Sequence, residues 1–388
     1  VILRNARVRQ DGALVARDVA VFGDRVAAVA APGTLPRDAT EADLAGRVLL
    51  PGLVNAHDHL DFSSFPLLGS PPYASVYEWS AAVDAGAGDS RARDALAVPL
   101  VDRLFLGGLR SLLAGVTAVA HHGPFHRSLS RSDFPVHVLA RYSFAHSPGL
   151  TPSLRRTYRT TDRRIPWMVH AAEGTDARAR AELQALVDAN VLRQNTVIVH
   201  GIGLSPDDGA RLAAAGACLV WCPESNRRLY GATAPVPALR AAGVRVGLGS
   251  DSPVSGVRDA LSNLAAARAE GLFADEDLFE LATRDSAEVA RLPLGNLAAG
   301  GRADLLAVES AERLLGGERT SVELVMRCGK PLYGAPELLE TLAPSAVALC
   351  VDGAERRLAA GLARRAASLL GRWPPLRRAA WIEGLECD

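Results

Sequence analysis

The stretch Leu49-Leu50-Pro51-Gly52-Leu53-Val54-Asn55-Ala56-His57-Asp58-His59-Leu60 is an apolar run that ends in His-x-His. Side chains two apart on a strand share a face, so this spacing predicts two imidazoles side by side at a strand end. Such a pair fills a core poorly and binds a borderline-soft cation well, because each neutral ring offers one nitrogen lone pair. Alone, it fits two ordinary strand histidines equally well, and the rest of the chain decides between the readings.

Upstream, residues 1–4, 14–22 and 25–29 read as short strands, with Asp11-Gly12 and Gly23-Asp24 as turn signals. Downstream, apolar strands alternate with longer helical stretches, the pattern of βα units around a parallel sheet. Strands are expected at 49–55, 117–121, 136–144, 167–169, 196–199, 218–221 and 245–248. A closed barrel needs one more than these. The segment 126–166 is therefore compressed, with a βα unit missing, or it hides a strand. After Pro293 short strands return. The expected architecture is α/β: a TIM-like (β/α)8 barrel over residues 51–292 and a small β-sandwich built from both termini, 1–50 and 293–345. Pro51-Gly52 marks the passage from one to the other. Residues 346–388 read as a helical tail, packed on the body or on a second subunit of a homodimer.

The 388 residues are 48% hydrophobic and carry 43 basic against 43 acidic side chains. This balance leaves no electrostatic footprint for nucleic acid or an anionic membrane, and no apolar run is long enough to span a bilayer. The expected partner is a small, neutral or locally polar molecule. The five cysteines (Cys218, Cys222, Cys328, Cys350, Cys387) are odd in number and lack CxxC spacing. They suit a reducing cytoplasm, and with no signal peptide in view a cytoplasmic protein is expected.

The strand ends carry the chemistry. His57 and His59 close one strand, His170 in Met168-Val169-His170-Ala171-Ala172-Glu173 a second, His200 in Val197-Ile198-Val199-His200-Gly201 a third, and Asp251 in Gly249-Ser250-Asp251 a fourth. In a parallel barrel the C-terminal strand ends open on one face, so these residues converge. Agreement across four strand ends makes a metal site the better account of all of them.

With Cys222-Pro223-Glu224-Ser225-Asn226 and Gly300-Gly301-Arg302-Ala303-Asp304-Leu305 added, the chain resembles the amidohydrolase superfamily over nearly its whole length. It is most similar to the cytosine deaminase and chlorohydrolase-like branch, which includes guanine deaminase and triazine hydrolases. The resemblance implies a metallo-hydrolase barrel in which His57, His59, His170 and Asp251 bind one divalent metal, Zn²⁺ first and Fe²⁺ as the alternative. It implies His200 as a hydrogen-bonding partner of the attacking water or the substrate, and Glu173 as the proton shuttle. Asp251 would accept a second proton. Many relatives bridge two metals with a carbamylated lysine at the fourth strand end. The only lysine here is Lys330, outside the barrel, so a mononuclear site is expected.

The implied reaction is hydrolytic deamination of an amino-substituted purine, pyrimidine, pterin or similar ring. Hydrolysis of a cyclic amide, or of another C–N or C–Cl ring substituent, uses the same water, and a non-catalytic metal-binding scaffold is the third reading. Substrate contacts are expected from His146, Asn226, Arg228, Trp79 and His122, with Tyr77 as a second stacking ring. His121 and His126 read equally well as a hydrogen-bonded loop cluster, and Cys222 as a buried thiol. The Pro-rich loop 61–80 is expected to cover the site and set specificity.

Overall fold

The computed structural model describes every residue except 11, 38, 87–88 and 386–388, so the first residue of the Asp11-Gly12 turn and Cys387 lie outside the described residues. The opening stretch forms two strands. Val48–Pro51 pairs antiparallel with Leu305–Val308, and Leu53–Asp58 begins the barrel. Gly52 makes the passage between them. A Cβ there would lie 2.3 Å from the Thr117 side chain, a separation no carbon can adopt.

The barrel has eight parallel strands: Leu53–Asp58, Val116–His121, His137–Val138, Ser143–Ala145, Trp167–Ala171, Thr196–His200, Cys218–Trp221 and Arg245–Leu248. They form ladders of three and five strands. The Asp251 N–H donates to the His57 carbonyl at 3.1 Å and the His59 N–H to the Asp251 carbonyl at 3.0 Å, joining the last strand to the first. The strand expected over 136–144 is in fact two. The Leu139 N–H bonds the Val119 carbonyl at 2.9 Å, whereas the Ser143 N–H bonds the Pro166 carbonyl at 3.0 Å. The run changes partner from the second strand to the fifth within a few residues, without a crossover helix. The missing strand is hidden in the segment, and the segment is also compressed.

Every residue of the fifth, sixth and seventh strands is buried, as a sheet with side chains inside and helices outside requires. Between the first two barrel strands the helical stretch is interrupted at Val98-Pro99, where proline supplies no N–H, giving Ser90–Ala97 and Leu100–Leu113.

Both termini share one continuous sheet of eleven strands, in which Ile2–Gln10 lies parallel to Val48–Pro51 and Leu305–Val308 pairs with Val322–Arg327. Leu3, Val19, Leu49, Leu305 and Leu324 form its core. The tail departs from the helical expectation. It opens with a hairpin, Val347–Val351 and Ala354–Leu358, that extends the terminal sheet beside Lys330–Gly334. Asp352 (φ 48°) and Gly353 (φ 75°) form its turn, the Asp-Gly signal of a tight hairpin. Helix Ala360–Arg372 follows and buries Leu362, Ala366 and Leu369 in the main core of the same chain. Among the described residues no helix is long and apolar enough to cross a membrane.

Candidate active site

His57 and His59 leave the first strand on one face, with ring centroids 5.0 Å apart. His170 brings its ring to 5.0 Å from His57 and 5.6 Å from His59. Asp251 places Oδ1 3.8 Å from His57 Nε2 and 3.7 Å from His59 Nε2. Ligand atoms of His57, His59 and His170 lie within 4.8 Å of one another, as do those of His57, His200 and Asp251. All five side chains are buried, and neither ring nitrogen of His57 nor Nε2 of His170 has a hydrogen-bond partner. A buried polar atom left unpaired costs about 1–3 kcal/mol, so three in one place argue for a cation that they share. Burial pushes the His57 ring below its ordinary pKa and those of His59 and His170 well below it, which keeps their lone pairs free.

Three non-glycine residues at the mouth hold left-handed backbone: Ala172 (φ 53°), His200 (φ 75°) and Asp251 (φ 63°). Such conformations cost on the order of 1–3 kcal/mol each and persist where the surroundings over-determine them. Glu182 holds the first, its Oε2 accepting the Ala172 N–H at 2.7 Å. Gly174 follows at φ 149°, and a Cβ there would sit 2.5 Å from Ser75 Cα, so loop 61–80 packs directly on this turn. The turn aims Glu173 into the mouth. Its Oε2 is 3.9 Å from His170 Nδ1 and its Oε1 3.7 Å from His200 Nε2. The Tyr230 hydroxyl donates to the same Oε1 at 2.7 Å. Burial raises the Glu173 carboxyl above its ordinary range, the direction a group that takes and returns protons near neutrality requires.

Above this ring opens a cavity of about 340 Å³ lined by His59, His170, Glu173, His200 and Asp251 at its base and by Phe62, Trp79 and Val254 higher up. A larger hollow of about 800 Å³, among Arg155, Arg159, Arg163 and Arg193, holds none of the strand-end histidines or carboxylates. The smaller cavity is therefore the candidate site.

Known proteins resemble this chain in sequence and in fold. A family model described as Amidohydrolase family matches residues 148–333. A 5-methylthioadenosine/S-adenosylhomocysteine deaminase of Halobacterium salinarum is 27% identical over 336 residues, covering 72% of this chain and 77% of the relative. An aminodeoxyfutalosine deaminase of Deinococcus radiodurans is 29% identical over 303 residues, covering 61% and 72%. The solved structure of an adenosine deaminase from Xanthomonas campestris with bound zinc superposes with a TM-score of 0.71 at 18% identity, covering 96% of this chain and 98% of that one. The chain is thus similar in sequence to the amidohydrolase family over residues 148–333 and in fold to a zinc-bound adenosine deaminase over nearly its whole length.

Within this site the expected pocket residues separate. His146 and Trp79 line the cavity. Asn226 does not: it is fully buried, with Oδ1 3.0 Å from His200 Nδ1, so the ring donates Nδ1–H to the amide and turns Nε2 toward Glu173. The helix Pro223–Tyr230 directs it inward to His200 and not to a ligand. Arg228, on the same helix, lies outside the cavity lining and faces Glu224 at 3.5 Å. His122 is buried behind the ligand ring, stacked on His170 at 4.2 Å, and also lies outside the lining. Tyr77 bonds Glu182 and accepts the Gly149 N–H at 2.9 Å, again away from the lining. His121 accepts the Leu60 N–H and His126 the Ser128 N–H, as loop-bonding histidines do. Cys222 is a buried thiol that burial keeps protonated.

The site also contains groups that motif reading passes over. Asn55 Nδ2 donates to Asp58 Oδ2 at 2.9 Å and to Ser250 Oγ at 2.7 Å, and Ser250 Oγ donates to Asp58 at 3.0 Å. Asp58 alternates with His57 and His59 along the strand, so this buried knot ties the first strand to the eighth and aligns the two histidines with Asp251. Burial pushes the Asp58 carboxyl up to about 7. Tyr230 is the second such group. Tyr230→Phe is expected to lower turnover about tenfold, the worth of one hydrogen bond to a charged group, with metal content unchanged. Initial rates with metal analysis test this, and an undiminished rate would show that the hydroxyl does not hold Glu173.

Proposed function

We propose that this chain is a metal-dependent hydrolytic deaminase of an amino-substituted heterocycle. The observation that carries the hydrolytic chemistry is Glu173, buried at the base of the cavity between His170 and His200 and held on Oε1 by Tyr230. The donor set fits a divalent metal: His57, His59 and His170 present unprotonated nitrogens and Asp251 a carboxylate, the N and O ligands that suit Zn²⁺, with Fe²⁺ as the alternative. A cation held by these four residues supplies Lewis acidity that lowers the pKa of water to ~7.

Glu173 takes a proton from the attacking water at a carboxylate oxygen and delivers it to a ring nitrogen. The ring carbon gains oxygen, the second proton of the water passes by way of Asp251 to the exocyclic nitrogen, the exocyclic C–N bond breaks, and ammonia leaves. His200, its Nδ1–H fixed by Asn226, presents Nε2 to the same locus and orients the incoming oxygen. Glu173 can equally protonate the leaving ring nitrogen of a cyclic amide, so the choice of deamination over that reaction rests on the relatives, which carry deaminase names. The free thiols of Cys218, Cys222, Cys328 and Cys350 support a reducing, cytoplasmic setting.

The test is an ammonia-release screen of the zinc-loaded protein over aminated purines, pyrimidines, pterins, methylthioadenosine, S-adenosylhomocysteine and aminodeoxyfutalosine. Metal-dependent ammonia release is expected. A ring-opened product without ammonia would replace the reading with amide hydrolysis, and metal binding without turnover of any compound would replace it with the scaffold.

A further inference from the structure

Above the ligand ring the cavity wall is uncharged. Phe62, Val76, Trp79, Val83, Leu150 and Val254 form its apolar part. No arginine or lysine is among its described lining residues, and its only carboxylates are Glu173 and Asp251 at the base. The chain is not short of cations, for all but one of its 43 basic residues are arginine. Those flanking the loop over the site are engaged elsewhere. Arg103 donates to the Asp61 carbonyl at 2.9 Å and lies over the Phe65 ring, and Arg178 lies 3.3 Å from the centre of the Tyr77 ring.

The polar groups that remain are neutral. The hydroxyls of Ser147, after the fourth barrel strand, and Ser252, after Asp251, are buried in the wall with no hydrogen-bond partner. The Trp79 indole N–H is already satisfied by the Leu68 carbonyl at 3.1 Å, so the ring offers a face without a polar demand. An apolar wall with two buried, unpartnered hydroxyls suits a flat heterocycle with polar edges. A carboxylate or amino-acid tail placed there would lose its water without gaining a counter-charge, and a carboxylate would also face Glu173 and Asp251.

We propose that the site selects an uncharged aminated heterocycle, with any ring substituent neutral, and rejects the same ring bearing a carboxylate or amino-acid tail. Ser147 and Ser252 bind the polar ring edges, and Phe62, Trp79 and Leu150 contact the ring and its substituent. This rests on the deaminase reading of the same site.

Two matched pairs test it on the zinc-loaded protein: methylthioadenosine against S-adenosylhomocysteine, and pterin against pterin-6-carboxylate. Within each pair the charged appendage is the main difference. Ammonia release gives kcat/KM, and quenching of tryptophan fluorescence gives Kd without requiring turnover. The uncharged member of at least one pair is expected to bind at least about tenfold more tightly than its charged partner, with a matching advantage in kcat/KM where turnover occurs. Leu150→Arg, at an exposed position on the wall, should narrow that preference by supplying the missing counter-charge. Ser147→Ala should weaken binding of the preferred compound several-fold. Equal or reversed preference, or no binding of either uncharged compound, would overturn the proposal. Preferential binding of the uncharged members without ammonia release from any compound would uphold it while overturning the deaminase reading.

Discussion

Glu173→Gln is expected to leave a folded, metal-loaded protein whose ammonia release is lower by ~10²–10⁴-fold, the usual worth of a positioned general acid/base. Glutamine is close to isosteric, and its amide oxygen can still accept the Tyr230 hydroxyl that bonds Oε1 at 2.7 Å. The left-handed turn at Ala172, tied to Glu182, is untouched. The variant thus removes the ability to take up a proton and little else. Metal content and thermal unfolding should match the parent, and substrate affinity should fall far less than kcat, because the proton transfer belongs to the transition state. Retention of full activity would remove Glu173 from the mechanism.

The parts of this site that were legible in the sequence share a property: each is a polar residue closing an apolar strand. His57, His59, His170, His200 and Asp251 could be read because barrel topology converts strand ends into neighbours whatever the loop lengths. Glu173 was legible through the family resemblance, which implies a proton shuttle three residues after His170. Tyr230 and Asn226 belong to a different kind of contact. Both lie on one short helix after the seventh strand, and which side chain turns toward His200, Glu173 or solvent depends on how that helix seats on the barrel. Asn226 therefore read as a ligand contact and is a support for His200, and Tyr230 gave no signal at all.

The fold shows the same division. The eighth strand was hidden because 136–144 is a continuous apolar run in which the hydrogen-bonding partner changes, and periodicity does not record partners. In the tail, Ala, Leu and Arg composition suggested helix from 346 onward. The Asp352-Gly353 turn marks the hairpin that extends the sheet before Ala360–Arg372 begins.

Asp251→Ala is expected to have the second large effect, on metal and activity together. Asp251 Oδ1 is within 3.8 Å of both His57 Nε2 and His59 Nε2, whereas Asp58 is turned away toward Asn55 and Ser250 and Glu173 lies beside His170 and His200. Its backbone also joins the eighth strand to the first, and alanine retains those hydrogen bonds while accepting the left-handed φ of 63° less readily. Asp251→Asn is the companion variant, since asparagine tolerates that backbone and keeps the shape while losing the charge. Metal affinity should fall in both by more than the ~10–100-fold typical of losing a group that only orients a ligand. The measurement is metal per chain by mass spectrometry, on parent and variants stripped with chelator and reloaded with Zn²⁺. The parent should hold one equivalent and recover ammonia release, and the variants should hold little metal and recover none. Two equivalents in the parent, none in the parent, or one in Asp251→Ala would contradict a single metal held by His57, His59, His170 and Asp251.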